Sequence, residues 1–195
     1  MPRSICAIVG ALLLISSSAF GGETLVRRDT EFPVEIVHTI KGKNAKAGDP
    51  VEFRTTEAVL IGNDIVVPRN ATILGTILEV QKRGPAWPKS LLRVRIHTLR
   101  WKNGEASLNA MIASVMRPHM DSAAWNFRPA PTFMEGIRVV SHQRREAYTE
   151  FFSDRRDVVL RSGVGFMLRQ IDPTNYPDQD FDVFKSDDDR TAENW

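Results

Sequence analysis

The chain has 195 residues and a formal net charge of +2, so its overall charge does not indicate a strongly basic or strongly acidic partner. Its single cysteine, Cys6, excludes an intramolecular disulfide framework and a zinc site built from several thiolates. The length predicts one domain that can bury one hydrophobic core.

The first residues have the layout of a secretory signal peptide. A short basic start at Arg3 is followed by an almost unbroken apolar run over 5–15 and by small residues over 16–22. A retained membrane anchor is the weaker alternative, because this run is shorter than the ~20 residues of a spanning helix. We therefore expect residues 1–21 to be a cleaved leader, which would leave the mature chain without cysteine.

Apolar residues that recur with period two predict β-strands throughout residues 32–115. In the clearest strand, Leu92, Val94 and Ile96 alternate with polar residues, so the apolar set should face inward. Residues 71–80 are apolar on both faces, which predicts a central strand, and Gly75 within it predicts a kink or bulge.

Turn residues separate these strands. Asn103-Gly104 predicts a tight hairpin with a type I′ turn, because this pair readily adopts positive φ angles. Gly62-Asn63-Asp64 predicts a second hairpin, and residues 83–88 have the composition of a loop.

Residues 118–156 interrupt the strand pattern, which predicts that they form an excursion from the barrel-like domain. Three prolines predict an extended beginning, and the apolar residues that follow approximate a helical stripe, which predicts a surface helix at about 134–152. A last extended segment over 158–168 is broken at Ser162-Gly163. The sequence thus predicts a mainly β fold over 22–171: a small closed or half-open β-barrel or sandwich with one surface helix.

The C-terminal segment, residues 172–195, carries eight acidic residues against two basic ones. This density of charge without periodicity predicts a flexible, disordered tail that is dispensable for folding. Asp178, Asp180 and Asp182 are spaced like the start of a calcium loop. The glycine and the late glutamate of such a loop are absent, so no metal site is predicted.

Three segments carry a resemblance to a known family: Lys46 to Val51, Gly62 to Ala71, and Leu74-Gly75. They resemble the barrel domain of TrbI-type proteins of conjugation and type IV secretion, with 101–104 and 158–171 filling the later positions of that pattern. The resemblance implies a barrel fold and a role in secretion or envelope assembly.

The chain departs from the TrbI-type pattern in three ways. Asn70 stands where that family has glycine, although asparagine tolerates the left-handed conformation. The leader replaces the family's membrane helix and stalk. Residues 134–152 occupy the place of a helix that reaches the outer membrane, but Arg144-Arg145-Glu146 would be costly in hydrocarbon.

The sequence predicts no catalytic, metal or cofactor site. The histidines are never spaced as a local metal pair, and neither a nucleophile motif nor a phosphate-cradling loop occurs in the mature chain. His38 is expected on a strand face in the core or at an edge, and His97 is expected to be exposed. His119 and His142 flank the excursion, where a hydrolase site could be assembled.

The candidate binding residues form what we call the basic surface: Lys89, Arg93, Arg95, Arg100 and the nearby Trp87. Cations beside an aromatic side chain can bind an anionic partner. The competing interpretation is a solvated face that keeps the sheet soluble.

The resulting prediction is an exported, non-enzymatic envelope protein with a structural, assembly or binding role. It would be periplasmic, associated with the outer envelope near the outer membrane, or secreted. Its partner would be a protein or an anionic envelope component, and nucleic acid is not expected. The alternatives are a periplasmic hydrolase with a site in 118–156 and a module that binds an anionic glycan or lipid.

Overall fold

The computed structural model describes residues 26, 28–61, 64–116, 134, 136–172 and 178–183. The regular elements within these ranges are all β-strands. They are β1 (Glu31–Ile36), β2 (Ile40–Lys41), β3 (Pro50–Thr55), β4 (Val59–Ile61), β5 (Asp64–Val67), β6 (Thr72–Gln81), β7 (Ser90–Trp101), β8 (Gly104–Met116), β9 (Arg138–Gln143), β10 (Tyr148–Ser153), β11 (Val159–Leu160), β12 (Gly165–Gln170) and β13 (Gln179–Asp182). The predicted leader, residues 1–21, lies outside the described residues.

Six strands close into a barrel, which confirms the predicted fold class. The order around the ring is β7-β6-β3-β1-β12-β8, and β8 returns to pair with β7. Each of these neighbouring pairs is antiparallel. Closure gives each ring strand a partner on both sides, which satisfies backbone groups that an open sheet would leave at its edges.

The core of the barrel is formed by the inward faces of alternating strands. Leu92, Val94 and Ile96 of β7 are at most 1% exposed, as their alternation predicts. The rings of Phe53 and Phe166 meet edge to face with centroids 6.1 Å apart, an arrangement that aromatic pairs prefer. Large aliphatic and aromatic side chains thus fill the interior of the barrel.

Strand β7 is shared between the barrel and a second group of strands. Its later residues pair with β8, as at Ile96 opposite Ala110, whereas its earlier residues pair with β10, as at Val94 opposite Thr149. From β10 the sheet continues through β9 to β13, and we call these three strands the extension. Phe151 of β10 contributes to the barrel core, with its ring centroid 6.0 Å from that of Phe166.

The surface helix predicted at about 134–152 is wrong, because this region forms the antiparallel hairpin of β9 and β10. Burial along both strands alternates with period two, yet several of the buried positions are polar. Ser141, Gln143 and Thr149 are all at most 4% exposed. Because these buried positions are polar, the hydrophobicity of the sequence does not alternate with period two here. The remaining apolar residues have a spacing that is close to that of a helical stripe.

The predicted disordered tail is wrong for residues 178–183. Strand β13 pairs antiparallel with β9, with Asp180 opposite His142 and Phe181 opposite Ser141. Beyond the strand, Val183 donates its backbone N–H to the carbonyl of Val139 at 2.9 Å. The acidic segment therefore forms the outermost strand of the sheet.

Local turn predictions are confirmed in two cases and corrected in one. The β6–β7 register shifts at Gly75, as predicted for a bulge, and Asn70 has a φ of 63°. The β7–β8 hairpin forms, but its turn residues Lys102 and Asn103 do not have the positive φ of a type I′ turn. Gly104 instead begins β8, opposite Trp101.

Candidate functional site

The predicted basic surface lies on the outer face of β7 and the loop before it, and its cations are paired with carboxylates. Arg93 lies between two of them: its Nη1 is 2.8 Å from Glu79 Oε2 and its Nη2 is 2.6 Å from Glu150 Oε1. Burial acts to lower the pKa of Arg93, but the hydrogen bond and the charge of Glu150, with the charge of Glu79, raise it overall. The other three pairs are Lys89 with Asp154, Arg95 with Glu146, and Arg100 with Glu105.

Trp87, the predicted aromatic member of this surface, is exposed. Its side chain lies in the β6–β7 connection, and the residue is 62% accessible. Two backbone hydrogen bonds between Gly84 and Trp87, of 2.8 and 3.0 Å, close the turn. The predicted binding residues are thus spread from the loop before β7 to the far end of that strand, and each of the four cations lies beside one of the chain's own carboxylates.

The histidines do not form a common centre. His38 lies in the connection after β1, with 78% of its side chain exposed, so its expected strand-face position is wrong. His97 is partly buried on β7, where Thr76 Oγ1 lies 2.9 Å from Nε2 and Thr98 Oγ1 lies 2.8 Å from Nδ1. His119 lies outside the described residues.

His142 belongs to a dense polar cluster on the outer face of the extension. Its ring stacks on Tyr148, with centroids 4.5 Å apart, and its side chain is 13% exposed. Nδ1 lies 2.8 Å from Asp180 Oδ1 on β13. Nε2 lies 3.2 Å from Glu150 Oε2, close enough for electrostatic attraction, but it makes no hydrogen bond there.

Three basic side chains of β9 and the turn after it hold the acidic strand β13. Arg144 Nη2 donates to Asp180 Oδ1 at 2.6 Å, and Arg138 Nη2 donates to Asp182 Oδ2 at 2.8 Å. The hydrogen bond from His142 lowers the pKa of the Asp180 carboxyl, and Arg144 lowers it further. Residues 138, 142 and 144 therefore present positive or hydrogen-bonding groups to the aspartates of the last strand.

The opposite face of this segment carries the exposed Gln179 and two apolar residues, Phe181 and Val183. Phe181 packs against a small cluster of Met111, Ala147 and Ile171, which is separate from the barrel core. Val183 packs against the barrel core. Side chains of the segment thus alternate between carboxylates on the outside and apolar groups on the inside. We call the strip of β9 and its flanking residues that receives this segment the β9 edge site.

Buried polar residues of the extension bond to the backbone of β8. Ser141 Oγ donates to the carbonyl of Ile112 at 2.6 Å, and Ile112 N–H donates to Thr149 Oγ1 at 3.2 Å. The two hydroxyls lie 2.9 Å apart. These contacts occur where β8 has diverged from β7, so side-chain hydroxyls replace the missing strand partner. We call this set of contacts the hydroxyl seam.

A metal centre is not assembled within the described ranges, where no group of three or more His, Cys, Asp or Glu residues is placed to hold an ion. Around His142 the two carboxylates contact different ring nitrogens, so they do not converge on one point. The part of the chain that the structure describes also contains no helix long and apolar enough to cross a membrane.

The sequence interpretation missed the β9 edge site, although a signal was available. Asp178, Asp180 and Asp182 alternate with period two, as do Arg138, His142 and Arg144 apart from one skipped position. Opposite charges that alternate with the same period on two segments favour their pairing as neighbouring strands. The density of charge in the tail concealed this pattern.

No protein-family model and no curated protein matches the chain. Among solved structures, the chain is similar to ComB10 of the Com type IV secretion system of Helicobacter pylori, with a TM-score of 0.41 and 10% sequence identity. The match covers 76% of this chain and 89% of that chain. The likeness concerns fold alone and does not establish a sequence family.

Proposed function

We propose that the chain is an exported, non-enzymatic β-domain of the cell envelope that acts in assembly by binding another protein. The observation that carries this proposal is the extension. The barrel closes six strands on themselves, whereas the extension leaves the ring at β7 and ends in a short strand at the margin of the sheet. A sheet margin offers backbone donors and acceptors to which an extended segment can be added.

A binding role is also supported by the way in which polar side chains of the described residues are already engaged with other groups of the fold. The hydroxyls of Ser141 and Thr149 serve the β8 backbone, and the ring of His142 is held between carboxylates and Tyr148. The cations of the basic surface are engaged in ion pairs, which leaves less positive charge for an anionic glycan or lipid. Strand addition at the extension uses groups that the fold leaves at the margin of the sheet.

The experiment that tests this proposal is site-specific crosslinking in cells. A photo-reactive residue at position 145, in the exposed turn between β9 and β10, should give a discrete protein adduct in the envelope fraction. The same residue at position 46, which is exposed in the β2–β3 connection, is the matched control and should give none. N-terminal sequencing of the recovered protein should show loss of the leader.

Two outcomes would contradict the proposal. Recovery of the protein with an intact leader in the soluble cytoplasmic fraction would show that it is not exported. Equal adducts from positions 145 and 46 would show that the extension has no special role in binding.

A further inference from the structure

The resident strand β13 is more exposed than the strands of the barrel. Three of its four residues are exposed, and Phe181 is only partly buried. Each of its ion pairs has one well exposed member, such as Asp180 at 55% and Arg138 at 60%, although His142 is only 13% exposed. Exposed pairs each contribute little, and segments with few buried apolar contacts open at low free-energy cost.

The β9 edge site nevertheless specifies its occupant in detail. Backbone pairing fixes the direction and register, with Asp180 opposite His142 and Phe181 opposite Ser141. Arg138, His142 and Arg144 select carboxylates at alternate positions on the outer face. The cluster of Met111, Ala147 and Ile171 receives an aromatic side chain on the inner face. A one-residue slip would place each of these side chains on the wrong face.

We propose that the β9 edge site receives an extended segment of a partner protein, with carboxylates at alternate positions and an aromatic residue between two of them, and that β13 occupies the site until it is displaced. This inference rests on the proposed function and names the class of its partner. Charge complementarity argues for this occupant, because the site presents two guanidinium groups and an imidazole along β9 and the turn after it. The aromatic position distinguishes such a segment from a merely acidic one.

The inference is tested with the full chain and a synthetic peptide that has the sequence of residues 178–183, Asp-Gln-Asp-Phe-Asp-Val. The double substitution Asp180→Ala/Phe181→Ala weakens the resident strand and leaves the site itself intact. By mass action, this variant should bind the labelled peptide roughly tenfold more tightly than the unchanged chain does. The matched control, Leu60→Ala/Glu105→Ala, removes an exposed apolar group and a carboxylate elsewhere and should bind like the unchanged chain.

Two further measurements separate strand addition from non-specific attraction. A scrambled peptide of the same composition, Asp-Asp-Gln-Phe-Val-Asp, should bind the weakened variant at least roughly tenfold less tightly, because its alternation is lost. Adding Arg138→Asp to the weakened variant should reduce binding of the native peptide. Replacing the aspartate that corresponds to Asp182 by lysine in the peptide should restore it. Equal affinity for the native and scrambled peptides, or no rescue by the lysine peptide, would overturn the inference.

The occupant could also be a second copy of this chain, and the oligomeric state decides this. If a mixture of the unchanged chain and the weakened variant runs as a dimer in size-exclusion chromatography, the site exchanges β13 between copies, and the inference of a different partner is wrong.

Failure of this inference can be distinguished from failure of the proposed function. If the peptide does not bind while position 145 still gives envelope adducts, only the partner class is wrong. If the peptide binds but no adduct forms in cells, the proposed assembly role is wrong.

Discussion

His97 is a partly buried polar residue whose two ring nitrogens both have hydrogen-bonding partners. Both of its ring nitrogens lie within 2.9 Å of a threonine hydroxyl, one from Thr76 and one from Thr98. Burial lowers the pKa of His97, and the charge of Arg95 lowers it further. The folded protein therefore favours the neutral imidazole more than the unfolded chain does.

This preference predicts a pH-dependent free energy of unfolding. Below about pH 6.5 the unfolded chain binds a proton at position 97 that the folded protein resists, so stability falls as the pH is lowered towards about 5. The variant His97→Gln should lack this part of the loss. Urea denaturation at several pH values between about 8 and 5 gives the free energy of unfolding of each protein, and the two proteins are compared by how steeply this free energy changes with pH. The matched control is His38→Gln, which replaces an exposed histidine. The same pH dependence of stability in His97→Gln and in the unchanged chain would contradict the assignment.

The cations of the basic surface show what a sequence can and cannot reveal about a site. Alternation places Arg93 and Arg95 on the outer face of β7, and the structure confirms this position. Their partners are Glu150 and Glu146, which lie 57 and 51 residues further along the chain. No local pattern can predict these pairs, because they depend on which strand is added beside β7. The predicted free positive surface is instead a set of ion pairs.

Among the elements, the strands with apolar interiors were predictable and those with polar interiors were not. β7 and β8 alternate between apolar and polar residues, so their period is visible in the sequence. β9 and β10 alternate between buried and accessible positions, but Ser141 and Thr149 occupy buried ones. Hydrophobicity then fails as a guide to burial, because the hydroxyls are buried to satisfy backbone groups of β8.

The pairing of β6 with β7 depends on the absence of a side chain at Gly75. A Cβ atom at this position would lie 2.7 Å from the carbonyl oxygen of Arg95 on the neighbouring strand. Backbone atoms cannot move aside as a flexible side chain can. The bulge and the close approach of the two strands therefore require glycine there.

We expect Gly75→Ala to lower the free energy of unfolding by about 1–3 kcal/mol, as an overpacked position does. Urea denaturation of the full chain measures this change. The matched control is Gly84→Ala, because a Cβ atom at position 84 would meet nothing within 4 Å. Equal stabilities for the two variants would mean that the β6–β7 approach tolerates a side chain.

For the whole molecule, the hydroxyl seam connects the extension with the barrel. β8 pairs with β7 near the hairpin and with β12 along its later part, and Ile112 turns its backbone to Ser141 and Thr149 of the extension. The shared strand β7 and the seam hold the two parts together from two sides. Loss of the seam should therefore loosen the extension while the ring of six strands persists.

We expect Ser141→Ala to lower the free energy of unfolding by about 1–3 kcal/mol, because it removes a partner of a buried carbonyl. Amide hydrogen exchange at Ile112 should accelerate in this variant. The matched control Ser114→Ala removes an exposed hydroxyl of β8 and should change stability by less than about 0.5 kcal/mol. An unchanged exchange rate at Ile112 in Ser141→Ala would show that the seam does not stabilise the junction.

The pairing of β1 with β12 also dictates the order of events in folding. Glu31 and Arg169 lie 138 residues apart in the chain and are joined by a hydrogen bond across this pair. The ring cannot close until β12 is available, so nearly the whole domain must be present before its core is sealed. Contacts of such long range form slowly, because the entropy of closing the loop is lost before any contact compensates for it. A chain of this topology therefore cannot complete its barrel until β12 and most of the residues before it are free to pair.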